Sequence, residues 1–398
     1  LAAAPVEPGI WRVDGIAPGL PSTDLEPLRQ WIGASTVVAL GESIHTSGGY
    51  YTAKHRVFRF LVERAGFRAI AFQTPWAAAE RVASYVSTCK GDPEEALHSL
   101  DTVWQSAEVL ELVQWMCQWN RTHKKPKDRL TFIGFDIQQP ESDGPALIAF
   151  LQRIKVPADD PWIEGVRRCD GVAAPPAVPG QVPEEDHTAC LEALDGIADK
   201  FSREAAAIVR RTSKKDFEWA KVRLTGLRSW QGYSFYRRSD EVRSDESRDS
   251  GMASVLLSLR TLRLPPKTKV VLWGHNFHVS RAPLDDPNGW ARTMGTFLAE
   301  SLGSSYFVVG SIGWDVNVDM GGTCFSPQVP PPHSLEGKLH ALGEPYLLVD
   351  PRVSSSVLTA GETSLVSGSN VVAGDHYNAL LFLDESPKMT PLFRPPCP

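Results

Sequence analysis

The feature that most constrains the fold is a series of short apolar runs separated by stretches with helical periodicity. Five such runs, TVVAL, RAIAF, LTFIGF, KVVLW and YFVVG, lie at residues 36–40, 68–72, 130–135, 269–273 and 306–310. A sixth candidate, ALLFL, lies at residues 379–383. Near-continuous apolar runs of this length are typical of strands buried on both faces of a parallel sheet. We therefore predict an α/β fold with a central, mainly parallel sheet flanked by helices.

The longest interval between runs predicts a helical insertion. Residues 144–264 contain no strand-like run, and several of their segments have helical periodicity. They are expected to form a cap over a cleft in the α/β core. The predicted domains are thus residues 1–143 and 265–398 as two parts of the core, with residues 144–264 as the insertion.

Two other segments have a predicted local structure. Residues 50–65 have apolar positions at helical spacing and stop at Gly66, a usual helix end. Residues 320–365 are rich in Gly, Pro and Ser, and we expect an irregular surface excursion there.

Charge limits the class of partner. The formal net charge is -6, and the longest basic cluster, KKPK at residues 124–127, is short enough to be a solvated loop. No basic field is available to attract phosphates, so we predict no nucleic-acid partner. No apolar stretch of about 18 residues occurs, so no membrane span is predicted.

Localisation depends on two features that leave alternatives open. The chain begins at Leu1 without Met, as after signal-peptide cleavage, which would predict a secreted or periplasmic protein; otherwise it is cytoplasmic. Six cysteines permit three disulfides, but this number is also normal for a cytosolic enzyme with buried thiols.

Polar and ionisable side chains follow four of the predicted strands. In chain order they are Glu42 and His45, Gln73, Asp136, and His275 and His278. Loops at the carboxyl ends of parallel strands converge at one edge of the sheet, where such folds bind ligands. These side chains are therefore expected to meet in one cleft.

Each of these residues also has a purely structural interpretation. A lone histidine after a strand is more often a hydrogen-bonded structural residue than a catalyst. Asp136 can cap the helix that follows its strand, and Gly41 and Gly274 can be ordinary turn residues. The Glu42-x-x-His45 and His275-x-x-His278 turns together favour a functional site.

Familiar catalytic signatures are absent from the sequence. There is no Gly-x-Ser-x-Gly elbow, no phosphate-binding Gly-x-x-x-x-Gly-Lys loop, no His-Glu-x-x-His helix and no dinucleotide fingerprint. What remains is a set of histidines and carboxylates without an obvious nucleophile. General-base activation of water fits such a set, because a histidine titrates near neutral pH and a carboxylate orients it.

These motifs, in this order, resemble the erythromycin esterases. The matching motifs are Gly41-Glu42-x-x-His45, Lys54 on the next helix, Gly66-Phe67, Gly134-Phe135-Asp136, Arg248-Asp249-x-x-Met252-Ala253, Trp273-Gly274-His275-Asn276-x-His278 and Met294-Gly295. The resemblance implies an α/β core with a helical lobe, a deep cleft, and hydrolysis of a macrolide lactone by direct attack of water.

The resemblance also implies roles for individual residues. His45 matches the general base and Glu42 the carboxylate beside it. His275 and His278 match a second pair that polarises the carbonyl or protonates the leaving alkoxide. Lys54 falls where the family has a basic residue, and a cation facing the cleft would stabilise a developing oxyanion.

Gln73 departs from the family pattern, which usually has Glu there. An amide cannot accept a proton or hold a negative charge, so any role that needs a carboxylate is lost. Either His45 and Glu42 suffice, or the reaction is not hydrolysis, or Gln73 is an engineered replacement.

Three hypotheses follow. The first is a hydrolase of an ester or macrolactone that needs no cofactor, with a large, apolar small-molecule substrate. Its further predicted substrate contacts are Lys54, Gln73, Asp136, Arg248 and Trp76, with Trp104 also near the cleft. The second is a tailoring enzyme that closes or rearranges a natural product without hydrolysis. The third is a metal- or haem-binding protein that uses the two histidine turns as ligands.

Overall fold

The structure, a computed structural model, describes residues 5–138, 140–286, 289–326, 329–358, 363–365 and 370–397. Its centre is an eight-stranded β-sheet. In chain order the strands are β1 (Ile10–Arg12), β2 (Val37–Glu42), β3 (Phe67–Pro75), β4 (Thr131–Asp136), β5 (Lys269–His275), β6 (Tyr306–Val316), β7 (Tyr346–Val349) and β8 (Ala379–Ser386). Short strands outside the sheet pair as Leu284–Asp286 with Gly289–Ala291, Val318–Met320 with Thr323–Phe325, and Thr363–Leu365 with Asn370–Val372.

Six strands of the sheet run parallel, in the spatial order β8-β6-β2-β5-β3-β4. β7 pairs antiparallel with β8, and β1 pairs antiparallel with β7 at the outer edge. The chain forms β3 and β4 on one side of β2, inserts β5 between β2 and β3, and then places β6 on the other side of β2. The carboxyl ends of strands at such a reversal are the usual ligand site of an open α/β sheet. The predicted α/β fold with a mainly parallel sheet is confirmed.

Helices cover both faces of this sheet. In chain order they are α1 (Glu26–Ile32), α2 (Gly48–Ala65), α3 (Ala79–Thr88), α4 (Pro93–Leu97), α5 (Ala107–Thr122), α6 (Pro140–Arg153), α7 (Pro161–Arg167), α8 (Glu184–Arg211), α9 (Lys214–Tyr236), α10 (Glu241–Arg263), α11 (Asn276–Val279), α12 (Met294–Leu302), α13 (Leu335–His340) and α14 (Ala373–His376). Along β2, Val38 and Leu40 pack in a cluster with α2 and α5, whereas Val37 and Ala39 pack with α10 and α12. Because both faces are covered, the strands need apolar residues at consecutive positions.

Five helices, α6 to α10, lie between β4 and β5 in the described part of the chain. Side chains from α6 to α9, among them Leu147, Ile163, Leu194 and Leu227, form a hydrophobic cluster of their own. α10 is different, because its Met252 packs in the cluster on the sheet. The boundaries proposed for the helical insertion and for the two parts of the core stay predictions.

The helix predicted from residue 50 begins slightly earlier, as α2, and ends at Ala65. Gly66 follows it with a φ of 76°, a left-handed conformation that glycine adopts without strain and that closes many helices. The face of α2 that meets the sheet is buried and includes the polar residue Lys54. α2 thereby brings a lysine beneath the ends of the strands.

The segment 320–365 departs from the irregular excursion expected from its composition. It contains α13, whose Leu335 and Leu339 are buried, and it contains β7, which lies between β1 and β8. The expectation is wrong for these residues. The apolar run of β7 is only four residues long, and its pairing partners lie far away along the chain, so local pattern does not reveal it.

All six cysteines form disulfides, which pair Cys89 with Cys117, Cys169 with Cys190, and Cys324 with Cys397. The first links the residue after α3 to α5, the second links α8 to the residues after α7, and the third ties the C-terminal segment to a short hairpin. None of the helices in the described ranges combines the length and apolar character needed to cross a membrane.

Candidate active site

The register of β2 and β5 places the two predicted motifs side by side. Glu42 and His275, the last residues of their strands, are paired across the sheet, and Gly41 is paired with Gly274. A Cβ on Gly41 would lie 2.1 Å from Asn276 Oδ1, and one on Gly274 would lie 2.8 Å from Gln73 Oε1. Close packing at the strand end therefore requires glycine at position 41, whereas a side chain at position 274 would displace the Gln73 amide.

Glu42 is the buried centre of a charged group. Its Oε1 accepts a hydrogen bond of 2.8 Å from His45 Nδ1, and its Oε2 accepts one from Lys54 Nζ. Glu42 is fully buried and Lys54 nearly so, with the ammonium 4.2 Å from the centroid of the Trp273 ring. Burial lowers the pKa of Lys54 to about 8, although the charge of Glu42 acts in the opposite direction.

His45 is held in one tautomer by this carboxylate. With Nδ1 donating to Glu42, the neutral ring has an unprotonated Nε2 that can accept a proton. The side chain is 23% exposed, so water can reach it. The ring packs edge-on against Trp104 and His275, each with a centroid separation of 5.0 Å.

His275 has the opposite tautomer. Its Nδ1 accepts a hydrogen bond of 3.1 Å from the backbone N–H of Phe277 and so caps α11. Burial lowers the pKa of His275 well below its ordinary value, and the nearby His45 and His278 lower it further. The ring therefore stays neutral with its proton on Nε2, which makes it a hydrogen-bond donor.

His278 belongs to a second carboxylate–histidine pair. Its Nδ1 lies 2.8 Å and 3.0 Å from the two carboxylate oxygens of Asp249, which is fully buried on α10. Asp249 Oδ2 also accepts a 2.7 Å hydrogen bond from the N–H of Met294, the first residue of α12. The rings of His275 and His278 are 6.5 Å apart.

Asp249 was not among the predicted site residues. It lies 29 positions before His278 and on a different element, so spacing along the chain does not connect the two. The available signal was its place beside Arg248 in the Arg-Asp-x-x-Met-Ala stretch.

Asp136 forms an ion pair with Arg248, also on α10. Arg248 Nη2 is 2.6 Å from Asp136 Oδ2, and the other carboxylate oxygen accepts from the N–H of Ile137. The next helix, α6, begins only at Pro140, and the described contacts of Asp136 favour the ion pair over the capping role. Two successive residues of α10 thus bind different parts of the site. Arg248 pairs with Asp136 at the end of β4, and Asp249 bonds His278.

Gln73 lies at the same strand ends, whereas Trp76 faces the helices. Gln73 Oε1 accepts a 2.9 Å hydrogen bond from the N–H of His275, and its backbone carbonyl accepts from Trp104 Nε1 at 2.8 Å. Trp76 packs against Trp219 of α9, with ring centroids 5.0 Å apart. The aromatic ring that contacts His45 is that of Trp104.

Lys54 lies behind Glu42. It also approaches the backbone carbonyl of Gly274 at 3.4 Å, and its side chain is 1% exposed. Its charge therefore acts on Glu42 and does not face an open cleft.

Asp101 is a further acidic group of the site that the sequence did not single out. Partial desolvation raises the pKa of its carboxyl, and so does the charge of Asp136, while Arg248 and His45 act in the opposite direction. The charges of the Asp136–Arg248 pair and of His45 therefore both act on Asp101.

A metal site would require several ligand groups that converge on one ion. Among the residues that the structure describes, no three His, Cys, Asp or Glu side chains are grouped so as to hold one metal ion. Nδ1 of His45 and Nδ1 of His278 are both engaged by carboxylates.

A parallel α/β sheet with carboxylate-bonded histidines at its strand ends suits an enzyme that moves protons, as hydrolases do. The family model described as erythromycin esterase matches residues 62–386. The putative hydrolase YbfO of Bacillus subtilis is 22% identical over 409 aligned residues, which cover 91% of this chain and 86% of the relative. Erythromycin esterase type I of Escherichia coli is 24% identical over 294 residues, 70% of each chain.

A solved structure agrees in fold. A mutant of the erythromycin esterase EreC in its open conformation superimposes with a TM-score of 0.76 at 16% identity, over 95% of this chain and 98% of that one. The chain belongs to the erythromycin esterase family. This membership supports an esterase-like hydrolase.

Proposed function

We propose that the chain hydrolyses an ester or lactone by general-base activation of water, with His45 as the base. The observation that carries this proposal is the 2.8 Å contact of His45 Nδ1 with Glu42, which leaves Nε2 free to accept a proton in a partly exposed ring. Carboxylate orientation of a histidine is a recurrent way to prepare a base for this step.

In the first step, water attacks the carbonyl carbon while His45 Nε2 takes one of its protons. The carbonyl oxygen becomes an oxyanion, and we assign donation to it to His275 Nε2–H, which bonds the backbone carbonyl of Ser43 in the free protein. A neutral ring whose pKa is lowered by burial suits this role, because it donates without being a strong acid. Lys54, by contrast, secures Glu42 from behind.

In the second step, the tetrahedral intermediate collapses and the bond to the leaving oxygen breaks. We assign protonation of that oxygen to His278, whose charged form is compensated by Asp249. The products are a carboxylic acid and an alcohol, or one hydroxy acid from a lactone. Exchange of protons with solvent then restores His45 and His278.

Gln73 fits this scheme through its amide oxygen. The hydrogen bond from the N–H of His275 requires only an acceptor, which Gln supplies as well as the Glu usual in the family. No step above needs a carboxylate at this position.

The substrate class is proposed from the relatives. One of them is named erythromycin esterase, which makes a macrolactone the first substrate to test. The test is hydrolysis in ¹⁸O-labelled water, with mass spectrometry of products from a panel of macrolactones, small lactones and esters. We expect one ¹⁸O in the product carboxylate and no covalent adduct on the protein. A labelled product formed equally by His45→Ala would refute the assignment of the base.

Ring closure is the second candidate, and Gln73 is the observation that favours it, since the family's carboxylate is missing there. Closure of a hydroxy acid releases water, so the product mass falls by that of water, whereas hydrolysis raises it. Incubation with linear hydroxy acids distinguishes the two reactions by the sign of the mass change.

We also propose that the protein works in an oxidising compartment. All six cysteines are paired, and stable disulfides form chiefly outside the reducing cytosol. Thiol labelling of protein isolated from its native source under non-reducing denaturing conditions tests this: we expect no labelled cysteine.

A further inference from the structure

A pocket opens at the amino ends of the sheet strands, opposite the carboxyl ends that hold the candidate active site. Three loops that lead into β3, β4 and β5 converge there around a cavity of about 210 Å³. The residues that line it are Gly66, Arg68, Pro126, Lys127, Arg129, Thr131, Pro265, Pro266, Lys267, Thr268 and Lys269.

The lining of this pocket is strongly basic in a chain whose net charge is -6. Its cations are Arg68, Lys127, Arg129, Lys267 and Lys269, and no Asp or Glu is among the described residues that line it. Within the described ranges, none of the five forms an ion pair. Like charges held together repel one another, and an anion among them would relieve this repulsion.

The half-buried cations are held in place by backbone carbonyls, which do not neutralise their charge. Arg68 Nη1 donates to the carbonyls of Val62 and Phe67 at 2.8 Å and 2.7 Å. Lys269 Nζ donates to the carbonyl of Ala65 at 3.2 Å, and Arg129 donates to the carbonyl of Ser87. These bonds organise the side chains in advance, so that fewer rotamers must be ordered when a ligand binds.

The exposed part of the pocket is formed by Lys127 and Lys267 beside three prolines that stiffen their loops. At about 30 Å³ per water, the cavity has the volume of about seven waters, which suits a small anion and not a polymer. Arg and Lys side chains are the usual recognition groups for phosphate.

We propose that this pocket binds a small phosphate-bearing anion. The proposal is independent of the ester hydrolysis assigned to the carboxyl ends of the strands.

Calorimetric titration of the full, disulfide-bonded chain with inorganic pyrophosphate, at constant pH and an ionic strength of about 0.1 M, where distant charges are screened, tests the proposal. We expect one site per chain. The double variant Lys127→Gln, Lys267→Gln and the single variant Arg68→Gln should each weaken binding at least about ten-fold, because each removes a charge-assisted contact.

The matched control is Lys214→Gln, Lys215→Gln, which removes two exposed lysines at the start of α9 that do not line the pocket. This control should stay within about two-fold of the wild-type affinity. Equal weakening by the two double variants would overturn the proposal, because it would indicate attraction by overall charge alone. Absence of saturable pyrophosphate binding would also overturn it.

A second arm separates a free anion from a lipid headgroup. Vesicles of phosphatidylcholine with phosphatidylglycerol are sedimented with the protein and compared with vesicles of phosphatidylcholine alone. We expect pyrophosphate binding without cosedimentation. The opposite outcome is that the wild type cosediments but does not bind pyrophosphate, and that the Lys127→Gln, Lys267→Gln variant no longer cosediments. That outcome would assign the pocket to a membrane surface and refute the proposal.

Discussion

Glu42 accepts hydrogen bonds from His45 on one carboxylate oxygen and from Lys54 on the other. A buried carboxylate is stable only when its charge is compensated and its oxygens are hydrogen-bonded. Here an ammonium from α2 compensates the charge, and an imidazole from the adjoining turn donates to the other oxygen. The lysine sits behind the carboxylate and the histidine reaches toward solvent. This arrangement positions His45 through Nδ1 and leaves the lone pair of Nε2 available to accept a proton.

The first prediction concerns this pair. His45→Ala should lower kcat for ester or lactone hydrolysis by about 10²–10⁴-fold, because the general base is lost. Glu42→Gln should have an effect of similar size, since an amide has one acceptor oxygen for two donors and can stabilise the wrong tautomer of His45. Steady-state kinetics check both. A change confined to KM would contradict the assignment.

The second prediction tests His278 as the acid. His278→Gln should slow hydrolysis of alkyl esters and lactones, whose alkoxides need a proton, much more than hydrolysis of nitrophenyl esters, whose leaving groups do not. Asp249→Asn should show the same bias in weaker form, because it removes the charge that compensates His278. The measurement is kcat/KM for both substrate types. Equal losses would mean that His278 only positions other groups.

The third prediction follows from the pKa of Lys54, which burial lowers to about 8. As pH rises through this value the ammonium loses its proton, and Glu42 loses the charge that secures its second oxygen. We expect kcat to fall above about pH 8, and we expect Lys54→Met to be slower at neutral pH and to lack this basic limb. Rate profiles from pH 6 to 10 provide the measurement, and an unchanged basic limb in Lys54→Met would exclude Lys54 as its source.

The fourth prediction concerns stability in acid. His55 is buried in α2, neither ring nitrogen has a hydrogen-bond partner among the described residues, and burial lowers its pKa to about 3. Below about pH 6.5 the unfolded chain binds a proton that the folded chain does not. The unfolding free energy therefore decreases as the pH is lowered from about 6.5 to about 3.

His55→Phe should reduce the slope of unfolding free energy against pH by the contribution of one proton. That contribution is about 1.4 kcal/mol for each pH unit inside that window. Urea unfolding at a series of pH values measures the slope. His333→Gln, a change at an exposed histidine, serves as the control and should leave the slope intact. An identical slope in wild type and His55→Phe would show that His55 is protonated in the folded protein.

The fifth prediction concerns the disulfide between Cys169 and Cys190, which closes a loop with a sequence separation of 21. Replacing both cysteines by Ala should lower the unfolding free energy by about 3 kcal/mol, because the unfolded chain regains conformational freedom. Denaturant unfolding with and without reductant checks this. If reductant lowers the unfolding free energy of the wild type to that of the variant, this bond accounts for the redox sensitivity of the wild type. If the variant is as stable as the oxidised wild type, the bond contributes no stability.

Much of the fold was accessible from local pattern. The parallel strands β2 to β6 and β8 have apolar residues at consecutive positions because helices cover both faces of the sheet, and that requirement is visible in the sequence alone. The two short antiparallel strands, β1 and β7, were not visible, since three or four residues make no distinct pattern. Their stability comes from pairing with strands remote in the chain.

The group around Glu42 divides in the same way. By itself the sequence indicated that Glu42, His45, His275 and His278 follow strands, and the direction of parallel strands then predicted that they would lie at one edge. Only the tertiary structure decided that Lys54 compensates Glu42 from behind, that Asp249 is the partner of His278, and that Trp104 rather than Trp76 contacts His45. These partners come from separate helices and loops, and their contacts depend on how those elements pack, which no local spacing specifies.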